Sequence, residues 1–230
     1  MLLIANRDLR DPNFSRSVVL ITHFDATGTV GLILNRPLPM PATEALPPLA
    51  PLQPDPGVLF LGGPVAVGTL QLLLRTGADL DPGSRIVADV HLIEGADMLQ
   101  DLVEGRIQAT ALRLYAGYAG WGPGQLESEL LRGDWILWTS NADTIFATDP
   151  ERLWPELVDR ATERWVRPAT AGSADVAARS QYNLPFATGP DRGNSSTRGA
   201  LPCLHSAFPA VRVANERGLG VCGPGRQPTC

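Results

Sequence analysis

Between Gly117 and Gly124 the chain reads GYAGWGPG, four glycines, two aromatics and a proline in eight residues. Glycine inside a regular element costs roughly 0.5–1 kcal/mol relative to alanine in conformational entropy. A run this dense therefore serves something a side chain would prevent: positive φ, backbone packed on backbone, or a ligand held close to the main chain. It follows a strand-like stretch over 109–115 and leads into a helix-like one over 123–132 that Gly133 closes. A strand, a glycine-rich turn and a helix N-terminus together resemble the geometry that cradles anions, through free N–H groups and the helix dipole. The spacing of Gly117, Gly120, Gly122 and Gly124 fits neither G-x-G-x-x-G nor the P-loop pattern, and the chain contains no lysine. Two readings stand. One is a packing corner in which Tyr118 and Trp121 fold inward and the glycines make room. The other is a small-molecule, anion or protein-contact site built from Gly117, Tyr118, Trp121, Gly122, Gly124 and Gln125. Gln125 and Glu129, four residues apart, share a helix face. They form an intrahelical pair or a solvated face or, if buried, a carboxylate and an amide with acid–base chemistry.

The runs SVVLITHF (17–24) and TVGLILN (29–35) are apolar and β-branched and are separated by DATG, which predicts a β-hairpin with both strands largely buried. Asn35-Arg36-Pro37 ends the second strand. Prolines at 37, 39, 41, 47, 48, 51, 54 and 56 predict an irregular excursion, with a turn of helix near 43–46. Strands follow at about 58–61, 69–74 and 86–90. A helix over 94–104 has Met98, Leu99, Leu102 and Val103 on one face and Gly105 as its stop. A strand is expected over 134–138. Asp149-Pro150-Glu151 reads as N-cap, first-turn proline and early acidic residue, opening helical turns toward Trp165 that Pro155 divides in two.

Arg7, Asp11, Asn13, Arg16, Asn35 and Arg36 flank the hairpin as a polar cluster. Asp11-Pro12-Asn13 makes a turn whose Asp side chain caps local N–H groups. An arginine beside Asn13 and Asn35 offers an alternative, a carboxylate or phosphate contact. His23 and Asp25 share a strand face, and with Ser15 or Ser17 would complete a hydrolase triad, but neither serine sits in a G-x-S-x-G elbow. Cys203, His205, Cys222 and Cys230 lack the paired spacing of a zinc site, so no metal and no cofactor is expected.

Four blocks occur in this order: LRDPNFSRSVVLITHF (9–24), GTVGLILNRPL (28–38), LGGPV (61–65) and GYAGWGPGQLESEL (117–130). Together they resemble the YqgE/AlgH family over residues 1 to about 165. The resemblance implies an α/β architecture, a mixed, irregular, branched β-sheet partly closed on itself with helices packed on it. It further implies that Asp11, Pro12, Phe14, Asn35, Pro37, Gly62, Gly63, Pro64, Gly117, Tyr118, Trp121, Gln125 and Leu126 are family positions. Members are labelled transcriptional regulators, and the family has no settled biochemical activity.

Charge separates two regions. Residues 1–165 hold 21 acidic and 12 basic side chains, and 166–230 hold 3 and 7, every basic residue being arginine. An acidic body disfavours polyanions, so direct nucleic-acid binding by residues 1–165 is not expected. Residues 166–230, rich in Pro, Gly, Ala, Ser and Arg without periodicity, read as a disordered tail outside the family match. No apolar run reaches the roughly 20 residues of a membrane span, and the first residues do not read as a signal peptide. The expectation is a cytoplasmic protein that regulates or binds through a protein partner or a small ligand. The enzymatic alternative is a hydrolase or transferase acting on an anionic small molecule at 117–125.

Overall fold

The computed structural model describes residues 1–166 apart from 81, 94 and 95. The tail expected beyond them, with Cys203, His205, Cys222 and Cys230, lies outside the described residues. The strands are β1 (Leu2–Ala5), β2 (Val18–Asp25), β3 (Gly28–Ile33), β4 (Pro37–Pro41), β5 (Val58–Leu61), β6 (Val65–Arg75), β7 (Arg85–Val87), β8 (Val90–Ile93), β9 (Ala111–Trp121) and β10 (Trp135–Trp138). They form one sheet in the order β10-β1-β2-β3-β9-β6-β8-β7, and β5 branches from β9 with β4 beyond it. Among the described residues only β5 and β9 run parallel. The sheet is mixed, irregular and branched as expected; the expected partial closure on itself is corrected, since the path ends on β10 and β7, which do not pair with each other, and the sheet is open. Helices α1 (Ala42–Ala45), α2 (Ala96–Val103), α3 (Gln125–Arg132), α4 (Ala142–Ile145) and α5 (Pro150–Val166) pack on it. Among the described residues no helix is long and apolar enough to cross a membrane.

Both faces of the sheet are buried. On one, Leu2, Ile4, Leu20, Leu32, Leu73 and Tyr115 meet Ile145 of α4 and Leu153, Leu157 and Val158 of α5. On the other, Leu70, Leu72, Leu74, Leu112, Leu114 and Ala116 form one patch with α1 and Leu102 of α2. Leu3, Val19, Ile33, Ala119, Trp121 and Trp135 form a second patch with Leu126 of α3.

Strand alternation alone would not produce this arrangement in β9. Side chains alternate with period two, so Ala119 and Trp121 should share a face with Arg113 and Tyr115. They lie instead on the opposite face, with Ile33 and Val19. The phase changes at Gly117, whose φ is +68°. There the pairing with β6 slips, from Leu70 opposite Ala116 to Val65 opposite Tyr118. A Cβ at Gly117 would lie 2.7 Å from the carbonyl oxygens of both Gly63 and Val65. The Gly62–Gly63 backbone is stacked as tightly on Gly117 and Tyr118. This is a β-bulge that redirects side chains.

The hairpin, the 123–132 helix and the 134–138 strand form where the pattern placed them. Four further expectations are corrected. The glycine run is strand through Trp121, leaving only Gly122 to Gly124 as a turn. The proline-rich excursion contains β4, because the chain lies at the end of a branch and an edge strand tolerates residues without an N–H. The single strand expected at 86–90 is a hairpin, β7 and β8. Pro155 does not divide α5. It removes one helical hydrogen bond, to the carbonyl of Glu151, and both residues are exposed, where losing such a bond costs least. Asp149 caps the helix as expected, its Oδ1 accepting from the Arg152 N–H at 3.3 Å.

Gly117→Ala should cost at least about 2 kcal/mol, adding crowding to the left-handed backbone penalty. Gly122→Ala, where φ is ordinary and the nearest atom is 3.9 Å away, should change stability by less than about 0.5 kcal/mol. Urea unfolding midpoints of the two variants measure the difference.

Candidate functional site

The polar residues flanking the hairpin meet around one turn. Asp11 Oδ1 accepts from the N–H groups of Asn13 at 2.8 Å and Phe14 at 3.2 Å, the capping that the sequence suggested. Arg16 has a φ of +57°, an uncommon conformation for a non-glycine residue, and Asn35 braces it on both sides. The Asn35 Nδ2 donates to the Arg16 carbonyl at 2.9 Å, and its Oδ1 accepts from the Val18 N–H at 2.8 Å. Arg36 donates to the Ser15 carbonyl at 3.2 Å. Burial pushes the Arg36 guanidinium pKa down, and the charge of Asp11 opposes this. Asn13 is exposed and contributes its backbone N–H.

Phe14 carries this turn to the glycine segment. Its ring stacks on Trp121 at 5.7 Å and 25°, and Trp135 meets both rings edge-on at 5.7 and 5.9 Å. Trp121 and Trp135 are each 4% exposed. One carboxylate serves both indoles: Glu129 Oε2 accepts from Trp121 Nε1 at 2.9 Å and from Trp135 Nε1 at 2.8 Å. Its Oε1 accepts from Gln125 Nε2 at 2.9 Å, and Gln125 Oε1 accepts from the Gly122 N–H at 3.1 Å. Gly124 precedes α3 with φ 73°. Tyr118 is half-buried, with its backbone against Gly63. The structure thus brings Asp11, Asn35 and Arg36 next to Trp121, Gly122 and Gln125 through the Phe14 ring, their hydrogen bonds running to other parts of the protein; Tyr118, expected to fold inward beside Trp121, packs instead on the opposite face of the sheet, because the two side chains alternate after Gly117. Gln125 and Glu129 are the intrahelical pair that their spacing allowed, with the indoles added.

Other candidates separate. His23 Nε2 and Asp25 Oδ2 are 2.8 Å apart at the exposed hairpin tip. Ser17 is buried at the far end of β2, its hydroxyl donating to the Phe14 carbonyl at 2.7 Å. No triad assembles. Among the described residues no cluster of three or more His, Cys, Asp or Glu side chains could hold a metal ion.

Two features escaped the sequence reading. His91 and Ser84 are buried, with His91 Nδ1 and Ser84 Oγ 3.0 Å apart. The second is a cleft of about 450 Å³ between the branch strand β5, the start of β9 and the α4–α5 junction. Arg113 lines it and is 8% exposed. The guanidinium donates to the carbonyl of Ile145 at 2.8 Å and to that of Ala147. It lies 4.8 Å from the Phe60 ring centroid and 5.9 Å from that of Phe146. Among the described residues no carboxylate forms an ion pair with it. Among the described residues the fully buried hydroxyl of Tyr115, two residues along the same face of β9, has no partner at good hydrogen-bond geometry, and the Arg113 guanidinium is its charged neighbour. Burial pushes this phenol up to about 12, against the opposing influence of Arg113. The available signal was an arginine inside the apolar run ALRLYA.

Glu129→Ala leaves two indole N–H groups without their charged acceptor and should cost about 2–4 kcal/mol. Glu127→Ala removes no described hydrogen bond and should stay within about 0.5 kcal/mol; denaturant titration of both variants separates them. Burial lowers the pKa of His91 below 6.5, Arg85 acts in the same sense, and Asp89 and Asp79 oppose it. The unfolded chain therefore takes up the proton first. Stability should fall as pH drops from about 6.5 toward the lower folded value, and level off below it. Melting temperatures between pH 7.5 and 5.5 should show this loss in the native protein and less of it in His91→Gln.

The model of the AlgH-like family, DUF179, matches residues 2–165. A UPF0301 protein of Streptomyces avermitilis is 40% identical over 177 residues, covering 74% of this chain and 89% of that one. A UPF0301 protein of Mycobacterium tuberculosis is 39% identical over 167 residues, covering 69% and 80%. The solution structure of AlgH from Pseudomonas aeruginosa, 28% identical, matches 75% of this chain and 94% of that one with a TM-score of 0.55. The crystal structure of protein DIP2367 from Corynebacterium diphtheriae, 23% identical, shares the fold with a TM-score of 0.62 over 74% and 86% of the two chains. Matched across nearly all of its described length, the chain belongs to the AlgH-like family.

Proposed function

We propose that this protein is a cytoplasmic regulatory binding protein that acts through a small ligand or a protein partner rather than by catalysis. The observation that carries the reading is the cleft at Arg113. A buried cation whose contacts are neutral carbonyls and aromatic rings is incompletely compensated, and such a group in a concave, mostly apolar cleft is the usual ground for a ligand-site hypothesis. The network around Trp121 is the rigid counterpart. Asp11, Asn35, Arg36, Gln125 and Glu129 all hydrogen-bond within the protein, and no observation favours the enzymatic alternative at 117–125. Regulation by direct promoter contact is the least favoured route, since residues 1–165 carry a net charge of −9.

A thermal-shift screen of full-length protein against a metabolite panel tests this. A small set of anionic compounds should raise the melting temperature in a saturable way, as binding to the native state requires. Duplex DNA should bind weakly and be released by moderate salt. Submicromolar, sequence-selective DNA binding, or turnover of a stabilising compound, would overturn the reading.

A further inference from the structure

We propose that the Arg113 cleft takes a small monocarboxylate with an apolar, preferentially aromatic, body, its carboxylate against the guanidinium. This rests on reading the cleft as a ligand site and assigns the occupant a chemical class.

Size comes first. A cleft of about 450 Å³ falls in the range of about 300–1,000 Å³ typical of small-molecule sites. Charge comes second. An arginine has five N–H donors, and Arg113 uses donors on both terminal nitrogens for the carbonyls of Ile145 and Ala147. The Tyr115 hydroxyl is a further neighbour of the guanidinium; a donor left over after these groups suits a carboxylate oxygen, and a single negative charge balances a single positive one.

The walls decide between a carboxylate and a phosphate. Phosphate sites draw on several converging backbone N–H groups. Three of the lining residues, Pro54, Pro56 and Pro150, have none. The N–H of Gly57 is taken by Asp55 Oδ1 at 2.8 Å, and that of Thr110 by the Arg75 carbonyl at 2.8 Å. Asp55 itself adds a carboxylate to the wall, which penalises a dianion more than a monoanion. The body of the ligand follows from Phe60 and Phe146, which flank the guanidinium, and from Val58, an apolar wall residue that is 39% exposed. A flat apolar group beside the arginine covers this surface.

The test uses full-length protein with 3-phenylpropanoate, its neutral amide and phenyl phosphate as probes, read by thermal shift and by calorimetry. The expected result is saturable stabilisation by the carboxylate and none by the amide. In Arg113→Met the carboxylate affinity should fall at least about tenfold, the scale of one charge-assisted contact. Arg113 also holds the 145–147 segment, so a second variant, Thr148→Trp, fills the cleft from an exposed rim position and leaves those hydrogen bonds in place. It should block the carboxylate while keeping the native circular dichroism spectrum. Carboxylate binding unchanged in both variants overturns the location. Binding of phenyl phosphate through Arg113 without binding of the carboxylate overturns the class and leaves the ligand site standing. No binding of either anion overturns both.

Discussion

The structure turns on the change of phase in β9. A strand that kept strict alternation would place Trp121 on the face covered by α5, away from α3 and Trp135. At Gly117 a single left-handed residue reverses the alternation, so that one strand serves the α1–α2 patch with its first half and the α3 patch with its second. β9 hydrogen-bonds to β6, β5 and β3. The branching of the sheet, the position of α3 and the burial of the aromatic cluster all follow from that residue and from the glycine backbone at 62–63 packed against it.

Around this strand two kinds of polar residue have opposite roles. Asp11, Asn35, Arg36, Gln125 and Glu129 bind main chain or indole nitrogens, and they fix a turn at Arg16 and a corner at Trp121 that would otherwise be strained or unsatisfied. Arg113 does something else. It stands on β9 ahead of the phase change, on the face covered by α4 and α5, it anchors the α4–α5 junction, and it presents a charge to a cleft whose other walls are largely apolar. The first group accounts for the shape of the molecule, and Arg113 marks the place where its surface chemistry is incomplete.

Local signals were legible in the sequence and assembled ones were not. The hairpin, the Asp11 turn, the Asp149 cap and the Gln125–Glu129 pair each depend on residues within a few positions of one another. Of the four glycines from 117 to 124, Gly117 marks backbone packed on backbone, whereas a Cβ at Gly120, Gly122 or Gly124 would meet no atom closer than 3.4 Å. The extended conformation of this segment was hidden because it depends on Gly63 and Val65, some fifty residues upstream. β4 was hidden because proline argues against a strand unless the strand is known to lie at an edge. The helix carrying Pro155 continues with both Pro155 and Glu151 on its exposed side, which depends on how α5 is laid on the sheet. The Arg113 cleft draws its walls from segments near 54–60, 110–113 and 146–150, and no spacing rule connects these.

One pairing has a consequence for how the chain is made. β1, at residues Leu2–Ala5, lies between β2 and β10, with Leu2 opposite both Leu20 and Trp138. During synthesis its first edge can be covered almost at once, whereas its second waits until the region around residue 138 has left the ribosome. At about 5–20 residues per second that interval lasts on the order of ten seconds. Throughout it an apolar strand has an open edge, the kind of surface that pairs with other chains. β1 is therefore made before β2 yet completed only with β10, and the cost of placing a central strand so far from one of its partners falls on the growing chain rather than on the finished protein.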